Sequence, residues 1–317
     1  MQKKLAAGID IGGTNSVIGL VDEQGHITAR STVPTNAFDT AEELVIALGL
    51  KAEQLRINTG HSELIGAGIG APSGNYYSGC IEHAPNLKWS GIIPLASYFQ
   101  KHLHTDSVIT NDANAGALGE MIFGAAKGLK NFLFVTLGTG LGSGIVVNGE
   151  LVYGHDGMAG EMGHVILIPD GRLCGCGRKG CLETYCSATG IRTTFLELTG
   201  EHDRPGIDAK YIFDLAETGH QAAIDAFNYT GRLLGLALAN SVAYTSPSDI
   251  FLFGGLAQAG IWILEPARQS MEANLLHVYR NKVKLGLSLL AENDAAILGA
   301  ASLIWKKHQA KVPNAQA

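Results

Sequence analysis

Cysteine is scarce in this chain: five residues among 317, an odd count in a sequence with no secretory features, which argues against a disulfide framework. No apolar run approaches the length of a membrane span. The N-terminus, Met1-Gln-Lys-Lys-Leu-Ala-Ala-Gly-Ile-Asp10, reaches a charged residue too soon for a signal peptide. Basic clusters are missing as well, and a formal net charge of −6 offers no electrostatic footprint for nucleic acid. These absences predict a reduced, cytoplasmic protein whose partners include neither membrane nor nucleic acid. What the chain does have is 46% hydrophobic residues and 41 glycines, in a length sufficient for two domains with their own cores. That balance fits a loop-rich α/β enzyme.

Three of the five cysteines fall in Cys174-Gly-Cys-Gly-Arg-Lys-Gly-Cys181, shortly after His164. Glycines let such a backbone wrap tightly around one ion, and thiolate with imidazole suits zinc. A His164, Cys174, Cys176, Cys181 set closes a tetrahedral shell and leaves no open position for water, so the ion is expected to brace the loop without doing chemistry. Free thiols in a glycine-rich loop are the plainer account. Cys80 and Cys186 are expected to be bystander thiols.

Hydrophobic periodicity gives strands at Lys4 to Asp10, Ser16 to Asp22 and His26 to Val33, with Gly12-Gly13-Thr14-Asn15 and Gln24-Gly25 as turns. A second unit echoes the first: a strand at Asn131 to Leu137, the turn Gly138-Thr-Gly-Leu-Gly-Ser-Gly144, a strand at Ile145 to Val147, the turn Asn148-Gly149 and a strand from Glu150. The repetition predicts a duplicated fold whose halves face each other across a cleft. Between the copies the pattern predicts a helix from Asp39 to Leu50, a strand from Leu64 to Gly70, a helix from Ile92 to His102, a strand from Ser107 to Thr110, and a helix from Asn111-Asp112 to Phe123. Further helices are expected at Ala188 to Leu198, Asp208 to Thr218 and Gln221 to Tyr244, a strand at Asp249 to Phe253, and a last helix from Asp294 to Trp305 before a fraying tail, Lys306 to Ala317. The boundary is expected near Asn111 to Gly128. A small domain would take 1–112 with about 296–317, and a large one, carrying the zinc loop, 113–295.

Asp10-Ile-Gly-Gly-Thr14 ends a strand in a carboxylate followed by two residues, Gly12 and Gly13, without side-chain bulk, where backbone N–H groups can approach an anion. Thr14 and Asn15 add side-chain donors. The second loop, with Thr139 and Gly140, has no Walker lysine and opens no helix, so neither a P-loop nor a dinucleotide fingerprint is matched. Two glycine/threonine hairpins clamping one polyphosphate fit better. Asp10 would orient water on a magnesium ion, and Gly254-Gly255 would admit an adenine or ribose. Plain hairpin and strand-to-helix turns account for each loop taken alone.

Asp112, at a helix start, is either an N-cap or a general base for phosphoryl transfer, a task that a low-pKa carboxylate can perform when the transition state is loose. Glu161 and Glu183 bracket the metal stretch, where an ion would fix them for sugar hydroxyls. His164 can serve ion and ligand with its two ring nitrogens. Solvated loop charges are the usual fate of glutamate. Pro85-Asn-Leu-Lys-Trp89 offers an amide and an aromatic for a sugar, or a turn with a packed tryptophan.

Taken jointly, Asp10-Ile-Gly-Gly-Thr14, Pro85 to Trp89, Asn111-Asp-Ala-Asn114, Leu137 through His164, and Cys174 through Glu183 resemble the ROK family of sugar kinases and sugar-responsive repressors, in particular its bacterial glucokinase branch. The resemblance covers nearly the whole chain. It implies a two-domain, actin-like (ribonuclease H-like) α/β ATPase fold closing on its sugar, with ATP and Mg2+ between the two hairpins. It implies Asp112 as base, hexose held by Asn86, Asn111, Asp112, Glu161, His164 and Glu183, and a structural Zn2+ on the histidine and three cysteines. A homodimer or dimer of dimers is implied too. Where relatives often have Pro-Gly and then Val-Asp, this chain has Pro72-Ser73 and then Asn75-Tyr76. The expected reaction is transfer from ATP to the 6-hydroxyl of glucose. The rivals are an N-acetylglucosamine or N-acetylmannosamine kinase and, from another class, a sugar-sensing transcriptional regulator. The regulator would need an N-terminal helix-turn-helix domain, for which a phosphate loop beginning at Asp10 leaves no room.

Overall fold

The computed structural model describes residues 3–60, 62–202 and 205–311. It opens on an antiparallel meander of β1 (Lys4–Ile11), β2 (Asn15–Val21) and β3 (Ile27–Pro34). Helix α1 (Ala41–Asn58) follows, started by a capping box: the Thr40 hydroxyl accepts from the Glu43 N–H, and the Glu43 carboxylate accepts from the Thr40 N–H. Next come β4 (Glu63–Gly70), the small hairpin β5 (Ile81–Glu82) with β6 (Ile92–Ile93), α2 (Leu95–Leu103), β7 (Ser107–Thr110) and α3 (Asp112–Phe123). Strands β4 and β7 extend the meander in parallel, giving the order β3-β2-β1-β4-β7.

The second sheet repeats this plan. Strands β8 (Phe132–Leu137), β9 (Leu141–Val147) and β10 (Glu150–Leu151) make the meander. After α4 (Ala188–Thr199), α5 (Ala209–Glu217) and α6 (Gln221–Thr245), strand β11 (Asp249–Phe253) joins β8 in parallel. Helix α7 (Ile261–Asn274) leads to β12 (Lys284–Leu287), which closes the order β10-β9-β8-β11-β12, and α8 (Glu292–Lys311) ends the described chain. The duplication read from the glycine turns is therefore present strand for strand.

The chain packs as two compact units. One holds the chain up to Gly128, Tyr153–Ala159 and the chain from Leu289 onward; the other holds Leu129–Val152 and Gly160–Ser288. Helix α3 belongs to the first because it packs along α8, which carries that unit past residue 112. In the first unit, Leu5, Ile9, Ile18 and Leu20 of the sheet bury against Leu44 and Leu48 of α1 and Phe99 of α2. Each such side chain contributes about 1.5–3 kcal/mol of transfer free energy. Helix α8 covers the opposite face at backbone range: a Cβ on Gly8 would overlap the Ile297 carbonyl, and one on Gly68 the Ala300 carbonyl. In the second unit, Val135, Ile250 and Leu252 bury against Phe195, Phe227, Leu234, Leu238, Ile263 and Met271.

Helix α1 runs on to Asn58, past the expected end at Leu50, and β12 is not among the expected strands; four other shifts have a local cause. Ile92 and Ile93 are not helical but pair with β5, and α2 starts only after Pro94, since the residue before a proline favours extended backbone. Strand β9 begins at Leu141 rather than Ile145, because β8 supplies ladder partners along the glycine run. Helix α7 has no counterpart in the sequence reading: Pro266 interrupts its pattern, yet its ring is accommodated where Gly231 of α6 carries no side chain. Helix α8 continues past Trp305 to Lys311, and the rest of the expected tail lies outside the described residues.

Candidate functional site

In the first unit the parallel register brings two carboxylates together. Asp10 pairs with Gly70, and Gly70 with Thr110, so β1, β4 and β7 end level, and Asp112 follows two residues beyond Thr110. A Cβ on Gly70 would stand 3.8 Å from Asp10 Oδ1 and 3.9 Å from the Asp112 Cα, so the bare glycine keeps the space between them open. Asn111, not Asp112, caps α3: its side-chain oxygen accepts from the Asn114 N–H at 2.7 Å. Asp112 holds the first helical position, where its Oδ1 accepts from the Ala113 N–H at 2.8 Å. The capping duty is thus met by a neighbour, and Asp112 stays exposed at the positive end of the helix.

Burial, and then the negative charge of Asp112, push the Asp10 carboxyl up to about 6 from 3.8. A cation beside the pair would offset the repulsion that raises Asp10. Without one, folded Asp10 holds its proton more tightly than unfolded Asp10, so its contribution is most favourable below pH 3.8 and declines as pH rises toward about 6. The decline amounts to about 3 kcal/mol. Asp10→Asn should therefore stabilise the magnesium-free protein at pH 8 more than at pH 5, as read by urea unfolding. Equal pH dependence in variant and wild type would contradict this.

The turn between β1 and β2 is closed by the Gly12 N–H to the Asn15 carbonyl at 3.1 Å, and Thr14 and Asn15 are exposed. A Cβ on Gly13 would overlap the Asn86 carbonyl, so the first hairpin and the exposed Asn86 lie side by side. Trp89 is a packed tryptophan in a turn, its Nε1–H donating to the Asp39 carbonyl at 3.1 Å. In the departing loop, Asn75 is buried. Its amide donates to the Asp156 carbonyl at 2.7 Å, and its oxygen accepts from Tyr77 and Ser78 N–H, which occupies it structurally. Tyr76 stacks on Tyr153 with ring centroids 4.1 Å apart.

The second unit gathers the other half of the candidate residues. Thr139 and Gly140 form the tip between β8 and β9, closed by the Gly138 N–H to the Gly140 carbonyl at 3.0 Å. Gly254, at φ 100°, places the turn after β11 against the Leu137 backbone, where any Cβ would press on main-chain atoms, and Gly255 follows it, exposed. Glu161 precedes a 3-10 turn, Met162–His164, so its Oε2 lies 3.9 Å from His164 Nε2. Glu183 Oε2 accepts from the Leu141 N–H at 3.1 Å, and its Oε1 lies 3.5 Å from Cys174 Sγ.

A ring nitrogen of His164 and the sulfurs of Cys174, Cys176 and Cys181 all lie within 4.8 Å of one another. Cys174 Sγ is 3.6 Å from His164 Nδ1, and Cys176 Sγ is 3.6 Å from Cys181 Sγ. Bonds of about 2.3 Å to sulfur in a tetrahedral shell put the ligands about 3.7 Å apart, so the donor set fits zinc. Nδ1 faces the sulfurs and leaves Nε2 toward Glu161. Arg178, through its backbone and side chain, holds the Cys176 thiol down at about 6, while burial pushes Cys174 up to about 12. Cys186 is fully buried and its sulfur contacts the Thr230 carbonyl; Cys80 is buried too.

Three supporting residues carried no sequence signal. Arg172 bonds the Thr184 and Gly190 carbonyls at 2.8 and 3.1 Å and lies 4.5 Å over the Tyr185 ring, fastening the cysteine loop to α4. Ser143 donates to the Gly160 carbonyl at 2.5 Å, setting the approach to Glu161. Thr189 donates to the Thr139 carbonyl at 2.9 Å. Each acts through contacts between segments distant in sequence, which no local spacing encodes.

Comparison with known proteins identifies the family and the fold. The model of the ROK family matches residues 6–307. The glucokinase of Halalkalibacterium halodurans is 36% identical over 319 residues, covering 96% of each chain. The glucokinase of Streptomyces coelicolor is 37% identical over 313 residues, covering 94% of this chain and 97% of its own. A crystal structure of a ROK family glucokinase from Streptomyces griseus in complex with glucose and AMPPNP superposes with a TM-score of 0.77 at 34% identity, covering 94% of this chain and 98% of that one. Two sheets of one topology, each bearing a glycine hairpin, and similarity running the length of the chain lead to one assignment: the protein belongs to the ROK family and has its actin-like, two-domain α/β fold.

Proposed function

We propose that this protein transfers the terminal phosphoryl group of ATP to the 6-hydroxyl of glucose, with Asp112 as the general base. Its place as an ATP-dependent hexose kinase rests on glucokinase relatives at 36–37% identity over nearly their full length. The observation that carries the mechanism is the pair of carboxylates at the level strand ends, Asp10 and Asp112, set apart by Gly70.

Asp112, tethered through one oxygen by the Ala113 N–H, orients the sugar hydroxyl and takes its proton as the oxygen attacks. A loose transition state asks little basicity of it, so positioning is its main contribution. Asn86, Asn111, Glu161, His164 and Glu183 are assigned to the remaining hydroxyls of the hexose. Gly12, Gly13, Thr14, Asn15, Thr139 and Gly140 are assigned to the phosphates, and Gly254 with Gly255 to the nucleoside. Asp10 would hold Mg2+, an ion that would supply charge neutralisation for the transferred group. His164, Cys174, Cys176 and Cys181 would hold Zn2+, whose contribution would be to fix the loop that carries the sugar ligands.

The family resemblance supports a homodimer or dimer of dimers. Among the described residues, no helix is long and apolar enough to cross a membrane. The N-acetylhexosamine reading remains the rival within the same chemistry. A coupled ADP-release assay across glucose, mannose, fructose, N-acetylglucosamine and N-acetylmannosamine separates them. Glucose is expected to give the highest kcat/KM; a higher value for either acetamido sugar transfers the assignment, and no saturable turnover on any of the five overturns it.

A further inference from the structure

The segment that runs from the cysteine loop into the first turn of helix α4 carries no nucleotide motif, yet it holds the Gly138–Leu141 hairpin at several points. Ala188 N–H donates to the Gly138 carbonyl at 2.8 Å, and the Thr189 hydroxyl donates to the Thr139 carbonyl at 2.9 Å. Glu183 Oε2 accepts from the Leu141 N–H, and a Cβ on Gly140 would overlap that same oxygen. Ser187 locks the segment itself: its hydroxyl donates to the Glu183 carbonyl at 2.8 Å and accepts from the Gly190 N–H at 3.0 Å. Glu183 stands two residues after the zinc ligand Cys181, with its other oxygen beside Cys174 Sγ.

A turn rich in glycine has many conformations to lose on binding, and the cost falls on affinity unless something outside the turn removes that freedom first. Here the tip carbonyls are drawn toward the start of α4, and the one N–H bonded to Glu183 is fixed in direction. We propose that Thr189 and Glu183 are positioning residues that mould this hairpin for the phosphoryl donor, so the zinc loop sets nucleotide affinity as well as sugar affinity. The inference rests on the reading of the hairpin as a phosphate site. Glu183 has a second duty toward the sugar; Thr189, exposed and outside every assigned contact, isolates the effect.

Calorimetry on the zinc-loaded protein, with glucose and a non-hydrolysable ATP analogue titrated separately, tests it. Thr189→Val keeps shape and removes the hydroxyl, and Thr189→Ser restores it. Losing one net hydrogen bond predicts an analogue Kd about fivefold weaker for Thr189→Val, with the serine variant close to wild type. Glucose Kd should stay within about twofold in both, and KM for ATP should rise while KM for glucose does not. Wild type stripped of zinc should lose at least as much analogue affinity as Thr189→Val. Unchanged analogue affinity in Thr189→Val, a serine variant as weak as the valine, or equal weakening toward both ligands overturns the proposal. Zinc-stripped protein that binds the analogue normally removes the metal loop from it. Wild type that binds glucose but no analogue fails earlier, at the phosphate-site reading itself.

Discussion

Asp112→Asn should bind glucose and fail to phosphorylate it. A general base in the transition state contributes about 10²–10⁴-fold, and kcat should fall by that factor. The fold should tolerate the change, because an amide oxygen still accepts from the Ala113 N–H and Asn111 remains the cap. Only the favourable placement of a negative charge at the helix start is lost, about 0.3–1 kcal/mol. One side effect identifies the pair: with the neighbouring charge gone, the Asp10 carboxyl should titrate lower, leaving burial as the main cause of its elevation. Steady-state kinetics together with a glucose titration read the split, and a kcat within tenfold of wild type would contradict the role assigned to Asp112.

Removing a ligand of the proposed zinc site should also have a large effect, by a different route. Cys181 is fully buried beside Cys176, so Cys181→Ser places a poorer ligand in a site built for thiolate. Metal affinity should fall on the order of 100-fold or more, since even the groups behind metal ligands are worth 10–100-fold. Glu183 and His164 would then lose their fixed positions, and glucose affinity should drop with the metal content. Elemental analysis and glucose titration on the same preparation check both. A variant without zinc that binds glucose as tightly as wild type would show that the network around Arg172 holds the loop unaided.

The two hairpins were readable from sequence because glycine turns between apolar strands obey local rules, and the repeated order of the two sheets follows from them. The cluster of His164, Cys174, Cys176 and Cys181 was readable because its members are concentrated in one short stretch. Asp112 was ambiguous in sequence, since Asn and Asp cap helices equally well; only the hydrogen bond from the Asn114 N–H assigns the cap to Asn111. Pro94 and Pro266 misled in opposite ways. The first delays a helix that periodicity places too early, and the second sits inside a helix that periodicity misses, because Gly231 on another helix makes room for it. Thr189 and Arg172 were invisible for a related reason: what they touch is decided by tertiary packing.

The most direct measurement is a crystal structure with glucose and a non-hydrolysable ATP analogue bound together. The account predicts an Asp112 carboxylate oxygen about 2.6–3.2 Å from the glucose 6-hydroxyl, with that hydroxyl facing the γ-phosphorus at about 3–3.5 Å. An Asp112 side chain turned to solvent, with another group on the 6-hydroxyl, would contradict it.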